Sequence, residues 1–157
     1  DVQIDSDMEM FILDEYVSNI DERLRLYTEL DNIDSEEGIE KFALALEDRF
    51  GPRPRVVEEL FEGLRLRWIA RSLGFDRVTL KTTVLRCYFH KNAQSAYYES
   101  AIFDRLIKLL GSKGRVLDIQ LKQSATRLLM IKEKIKSMKS AREFLLSLQQ
   151  MTEQETV

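Results

Sequence analysis

The sequence predicts an α+β fold: a helical N-terminal half packed with a small, mostly antiparallel sheet and two further helices. Three observations point there. Up to Gly74, apolar residues recur at spacings of three and four, as on the buried stripe of amphipathic helices. Beyond Gly74 the period falls to two, the mark of half-buried strands. Gly51 and Gly74 stand where helical patterns stop, and glycine fits the left-handed position that ends a helix.

In chain order, Val2 and Ile4 alternate with Gln3 and Asp5 as a leading strand, and Met8 to Leu13 is a second extended candidate. Ser18 is placed to cap a first helix with Asp21 near its positive end, and Val17, Ile20, Leu24, Tyr27 and Leu30 share one face. A second helix is expected from Asp34, with Glu37 in capping-box position and a stripe of Ile39, Phe42, Leu46 and Phe50. Pro54 suits the first turn of a third helix, where no amide donor is needed, and that helix reaches about Ser72. Its apolar residues (Val57, Leu60, Phe61, Leu64, Trp68, Ile69 and Leu73) cover a wide sector.

Val78 and Leu80, then Leu85, Cys87 and Phe89, form two strands about a hairpin turn at Lys81 to Thr83. A helix over Ser95 to Leu110 comes next, and Gly111-Ser112-Lys113-Gly114 reads as a turn. Leu117, Ile119 and Leu121 make a strand with Thr126 to Ile131 as its antiparallel partner. Ser140 and Glu143 form a capping box for a last helix carrying Phe144, Leu145 and Leu148, and Met151 to Val157 reads as a frayed tail. The chain is expected to be a single domain over 1–157 of a larger protein, with a helical subdomain at 14–74 and a β-rich one at 75–150.

With 44% hydrophobic and 32% charged residues, the chain has the composition of a domain with a normal core. No run approaches the roughly 20 apolar residues of a membrane span, and the acidic start is unlike a signal peptide. One cysteine, Cys87, excludes an internal disulfide framework and suits a reducing cytoplasm. Charge is divided: residues 1–50 hold 16 acids and 4 bases, whereas residues 51–157 hold 11 acids and 20 bases. Such a division fits mutual attraction of two solvated halves, an anion-binding surface on the basic half, or a polar protein-protein surface.

Catalytic chemistry finds little support. Cys87 and the single histidine, His90, are three apart, and an odd spacing on a strand sends side chains to opposite faces. The chain has too few nitrogen and sulfur ligands for a zinc site. Gly111 to Gly114 lacks the spacing that wraps amides around phosphates, and Asp34 to Glu37 read as helix first-turn acids. No cofactor is expected.

Several short motifs occur in fixed order: Tyr16-Val17, then Arg23-Leu24-Arg25-Leu26-Tyr27, then Asp48-Arg49-Phe50-Gly51 with Pro54 three residues on. In this the chain resembles the carboxy-terminal domain of the bacterial transcription-repair coupling factor, over about residues 9–150. The resemblance implies a non-catalytic regulatory domain at the end of a cytoplasmic DNA translocase that removes stalled RNA polymerase from damaged DNA. It further implies that the domain docks on a UvrB-like module of the same polypeptide, hides that module's UvrA-binding face and restrains the motor. The family pattern places an acid three positions before the Asp of Asp-Arg-Phe-Gly, so that a pair of acids can clasp arginines. Here Asp48 is kept, but the earlier position is Ala45. Glu47 lies about 100° around the helix and is no direct substitute, whereas Glu37, Glu40 and Lys41 are candidates to contribute. The expected interdomain docking residues are Asp48 and Arg49.

The alternative is an accessory nucleic-acid-binding domain using the basic half. That half mixes Arg86, Lys91, Arg105, Lys108, Lys132, Lys134, Lys136 and Lys139 with Tyr88, Phe89, Tyr97 and Tyr98.

Overall fold

The apolar stripe of the second predicted helix is buried as its spacing requires: Ile39, Phe42 and Leu46 are all but inaccessible. They belong to one of two compact units into which the computed structural model, described over residues 1–155, divides: Glu9–Leu64 on one hand, Asp1–Met8 with Arg65–Val157 on the other.

The first of these units is helical. Helix α1 spans Ile20–Asp31, α2 spans Glu36–Phe50, and α3, Arg55–Leu73, begins here and continues into the other unit. The caps lie one residue later than expected. Asn19, not Ser18, caps α1 and accepts the Glu22 amide; Ser35, not Asp34, caps α2 and accepts the Gly38 amide. In each case the preferred residue is the one whose side-chain oxygen reaches the third amide inside the helix. Pro54 likewise immediately precedes α3, where its carbonyl accepts the Val57 amide at 3.0 Å. Gly51 closes α2 with φ of 86°, as its position in the pattern predicts. Met8–Leu13 forms no strand: after Glu9 its apolar residues run on without alternation, and Ile12 is buried with its amide donated to the Tyr27 hydroxyl.

The second unit is a five-stranded sheet with helices. Its strands are β1 (Gln3–Ser6), β2 (Phe75–Lys81), β3 (Val84–Phe89), β4 (Ile119–Gln123) and β5 (Leu128–Lys132), in the order β1-β2-β3-β5-β4. Only β1 and β2 run parallel; the other neighbours are antiparallel. The β2–β3 hairpin turns at Thr82 and Thr83, both with positive φ, and the Asp7 carboxylate accepts the Thr82 amide at 2.8 Å. Register puts Val78, Cys87 and Met130 side by side on one face, with Leu80, Leu85 and Phe89 two residues away, and all are buried. Two helices lie against that face: α4 (Ala101–Lys113), through Phe103 on Phe89, and α5 (Met138–Glu153), through Phe144 beside Lys132.

Several expectations fail here for identifiable reasons. The helix foreseen over Ser95 to Leu110 is broken: a 3-10 turn over Ala96–Glu99 ends at Ser100, which caps α4 through its own side chain. Gly111 to Lys113 are the last turn of α4 and not a hairpin turn, since the buried Leu106, Leu109 and Leu110 anchor the helix up to that point. Leu117 precedes β4, which starts at Ile119. The capping box of α5 is Ser137 with Ser140, three residues before the expected one, so Ser140 is its inner member and Glu143 takes no part. Of the expected tail, Met151 to Glu153 are helical, with Thr152 buried, and Thr156 and Val157 lie outside the described residues.

Candidate docking surface on the second helix

Three of the sequence motifs meet in the helical unit. The Tyr16 hydroxyl donates to the Gly51 carbonyl at 2.8 Å, and the Tyr16 ring lies 5.9 Å from that of Phe50. Arg23 donates to the Val17 carbonyl at 2.6 Å, and Val17 is buried. The Tyr27 hydroxyl accepts the Ile12 amide at 2.6 Å. Tyr16-Val17, the Arg23–Tyr27 stretch and Phe50-Gly51 therefore form one fastening that fixes the entry segment against α1 and the end of α2. Burial raises the Tyr16 hydroxyl pKa above its ordinary value, with Arg53 opposing.

Asp48 and Arg49 leave this fastening on the outside. Arg49 forms an ion pair with Glu22 and lies 4.8 Å over the Phe50 ring, yet its side chain is 55% exposed. Glu22 uses its other carboxylate oxygen to hold Arg25 at 3.0 Å. Asp48 is exposed and makes no ion pair among the described residues. Ala45 is also exposed and joins Leu26, Glu29, Phe42, Leu46, Arg49 and Phe50 around a shallow cavity of about 220 Å³. Glu47, one residue from Asp48, is engaged by Arg53 at 2.8 Å, and Arg53 also holds Glu58.

The solvent face of α2 is thus a defined surface. Stepping about 100° per residue, Glu37, Glu40, Lys41 and Asp48 all fall within roughly 60° of Leu44. Leu44 is 67% exposed. Glu37 and Lys41 pair with one another at 3.3 Å, whereas Glu40 has no ion-pair partner among the described residues. The motif-led reading missed Leu44. Its signal was in the sequence, since Leu44 falls opposite the Ile39–Phe42–Leu46 stripe in helical projection.

The lone-residue chemistry resolves simply. Cys87 is fully buried, which pushes its thiol pKa up, and His90 follows the end of β3. Among the described residues no group of His, Cys, Asp and Glu is arranged to hold a metal ion, and no helix is long and apolar enough to cross a membrane. Of the aromatic residues in the basic half, Phe89 is core, and the Tyr97 hydroxyl is committed to the Leu73 carbonyl at 2.7 Å.

Five helices and a mixed five-stranded sheet make the chain an α+β module. The model of the TRCF domain matches residues 6–100, and the chain belongs to that family. A solved structure described as the crystal structure of the C-terminal domain of transcription-repair coupling factor superposes with a TM-score of 0.70 at 19% identity, covering 99% of this chain and 97% of that one. No curated protein matches the sequence. The family sets the chain in transcription-coupled DNA repair.

Proposed function

We infer that this domain is a non-catalytic regulatory module that docks, through the solvent face of α2, on the UvrB-like module of the same polypeptide. Docked, it masks the face that binds UvrA and restrains the DNA translocase; released, it exposes that face. Through the parent protein it acts with RNA polymerase, UvrA and DNA. The observation that carries this reading is the α2 face itself: an exposed leucine bordered by Asp48, Glu40 and Glu37, with two of these acids not spent on internal ion pairs. Acids of that kind suit a basic partner surface, and the leucine offers apolar area at their centre. Asp48 makes the direct contact. Arg49, held by Glu22, contributes its exposed edge and fixes the last turn of α2.

Such a polar, modest interface permits release, because the docked and undocked states differ by little free energy. The absent acid at Ala45 removes one arm of the clasp that the family pattern carries, and Glu40, one turn before Leu44, lies on the same face to supply charge. The test is calorimetric titration of this chain with the separately produced UvrB-like module. Binding that weakens with salt and is lost in Asp48→Lys supports the proposal. Unaltered binding in that variant, with the fold intact, refutes it.

A further inference from the structure

The sheet has a second face, and its chemistry differs from that of α2. Register aligns Arg77, Tyr88, Leu129 and Lys122 in one row across β2, β3, β5 and β4. Arg86 and Ile131 sit beside that row, again paired across strands. These side chains line an open cleft of about 570 Å³, completed by Arg127 and by Ser124 and Thr126 of the β4–β5 turn. Three strand steps separate Arg77 from Lys122, roughly 14 Å at ordinary strand spacing.

The cleft is built and cationic. A β-bulge between Phe75 and Arg77 re-aims Asp76, whose carboxylate holds Arg127 and accepts the Lys91 amide at 2.8 Å. Arg127 also donates to the Phe89 carbonyl at 2.7 Å, so its guanidinium is fixed. Guanidinium groups of Arg77 and Arg127 lie 5.6 and 5.3 Å from the Tyr88 ring centroid. Asp5 partly offsets Arg77 at 3.4 Å. Arg86 and Lys122 have no ion-pair partner among the described residues. Two acids thus answer four cations; of the two uncommitted ones, Lys122 pairs across from Leu129 at the end of the row, and Arg86 stands two residues along β3 from Tyr88.

We propose that this sheet face binds single-stranded nucleic acid, with Arg86, Lys122 and Arg77 on phosphates and Tyr88 under a base. Two features favour a single strand. The open cleft presents an aromatic ring to bases whose faces a duplex hides. Ile131, half-buried beside Arg86, adds apolar surface on which a base can lie and on which a run of carboxylates gains nothing. Row length matches a strand of a few nucleotides crossing the sheet. The site lies in the sheet unit, and its test is independent of the α2 docking experiment.

The experiment is fluorescence anisotropy of the 157-residue chain with a labelled oligothymidylate, the corresponding duplex, and polyglutamate as competitor. Between about 50 and 200 mM salt, contacts to two to four phosphates give a slope of log K against log salt of roughly −1.4 to −2.8. Tyr88→Ala weakens binding roughly tenfold or more, whereas Tyr88→Phe, which keeps the stacking ring, preserves it. Joint replacement of Arg86 and Lys122 by alanine lowers both affinity and slope. Lys122→Glu, at an exposed strand position, supplies a variant that folds and binds less. The proposal is overturned by salt-independent or undetectable binding, by equal affinity for duplex, by equally effective displacement with polyglutamate, or by folded variants that bind as the parent does.

Discussion

Glu22 holds two arginines with one carboxylate: Arg25 on its own helix and Arg49 at the end of α2. The bridge joins α1 to the turn that carries the Asp-Arg-Phe-Gly sequence. It also separates the roles of neighbouring residues, since Arg49 is engaged from within and Asp48 faces outward. Glu22→Gln keeps the shape and removes the charge, so its expected cost is about 1 kcal/mol, read as a lower urea midpoint. Salt at about 1 M reduces the difference between parent and variant, because screening weakens the same pair.

Asp48→Ala is expected to change stability by less than about 0.5 kcal/mol, since the side chain is exposed and makes no ion pair among the described residues. Affinity for the UvrB-like module falls roughly tenfold in the same variant. Unfolding of Asp48→Ala, seen by circular dichroism, makes Asp48 a structural residue and removes it from the interface.

Leu44→Ser tests the apolar centre of the same face. Removing an exposed leucine leaves folding within about 0.5 kcal/mol of the parent. The docked complex dissociates faster, by several-fold, and surface plasmon resonance reads this as an increase in the off-rate.

Gly74→Ala is expected to be severe. Gly74 has φ of 92°, and a methyl group there would lie 1.9 Å from the Tyr97 ring. Backbone strain and the clash together cost roughly 2–4 kcal/mol, measurable by urea denaturation. The double variant Gly74→Ala, Tyr97→Ala relieves the clash but keeps the strain, so its loss is smaller than the sum of the single losses.

Tyr97 also sets a pH response. Burial first, and Tyr98 second, raise its hydroxyl pKa above the ordinary value. The unfolded chain therefore releases this proton at lower pH than the folded one. Stability from Tyr97 is present in full below about pH 10 and declines as pH rises beyond it. Tyr97→Phe loses the hydrogen bond to Leu73, at about 1 kcal/mol near neutrality, and shows a flatter decline above pH 10 in pH-dependent urea titrations.

The α2 stripe and the two positive-φ glycines were readable because burial writes itself into spacing, and Ile39, Phe42 and Leu46 are the clearest case. The face expected for α1 fails, by contrast: Ile20 and Leu24 are exposed, and Leu26 is buried with Leu30 in their place. Residues 111–114 misled because Gly, Ser and Lys favour turns locally, whereas α4 is held by leucines one turn earlier. Ser137 and Ser140 are both good caps, and because the helix starts at Met138, Ser137 is the outer and Ser140 the inner member of the box. Asp48 and Arg49 stood out in the sequence as letters, but not the pairing of Arg49 with Glu22, since they lie on different helices. The sheet cleft was half legible. Arg86 and Tyr88 stood out in sequence, whereas Arg77, Lys122 and Arg127 join them only through strand order.

Strand β1 is four residues long and covers the edge of β2 in parallel register, from Gln3 beside Arg77 to Ser6 beside Leu80. The family match starts at residue 6, where this strand ends. A version of the protein starting at residue 6 would leave the outer amides and carbonyls of Arg77–Leu80 unclaimed, a sticky border that recruits other chains. The residues ahead of the family match thus cover a strand border that the matched stretch itself supplies.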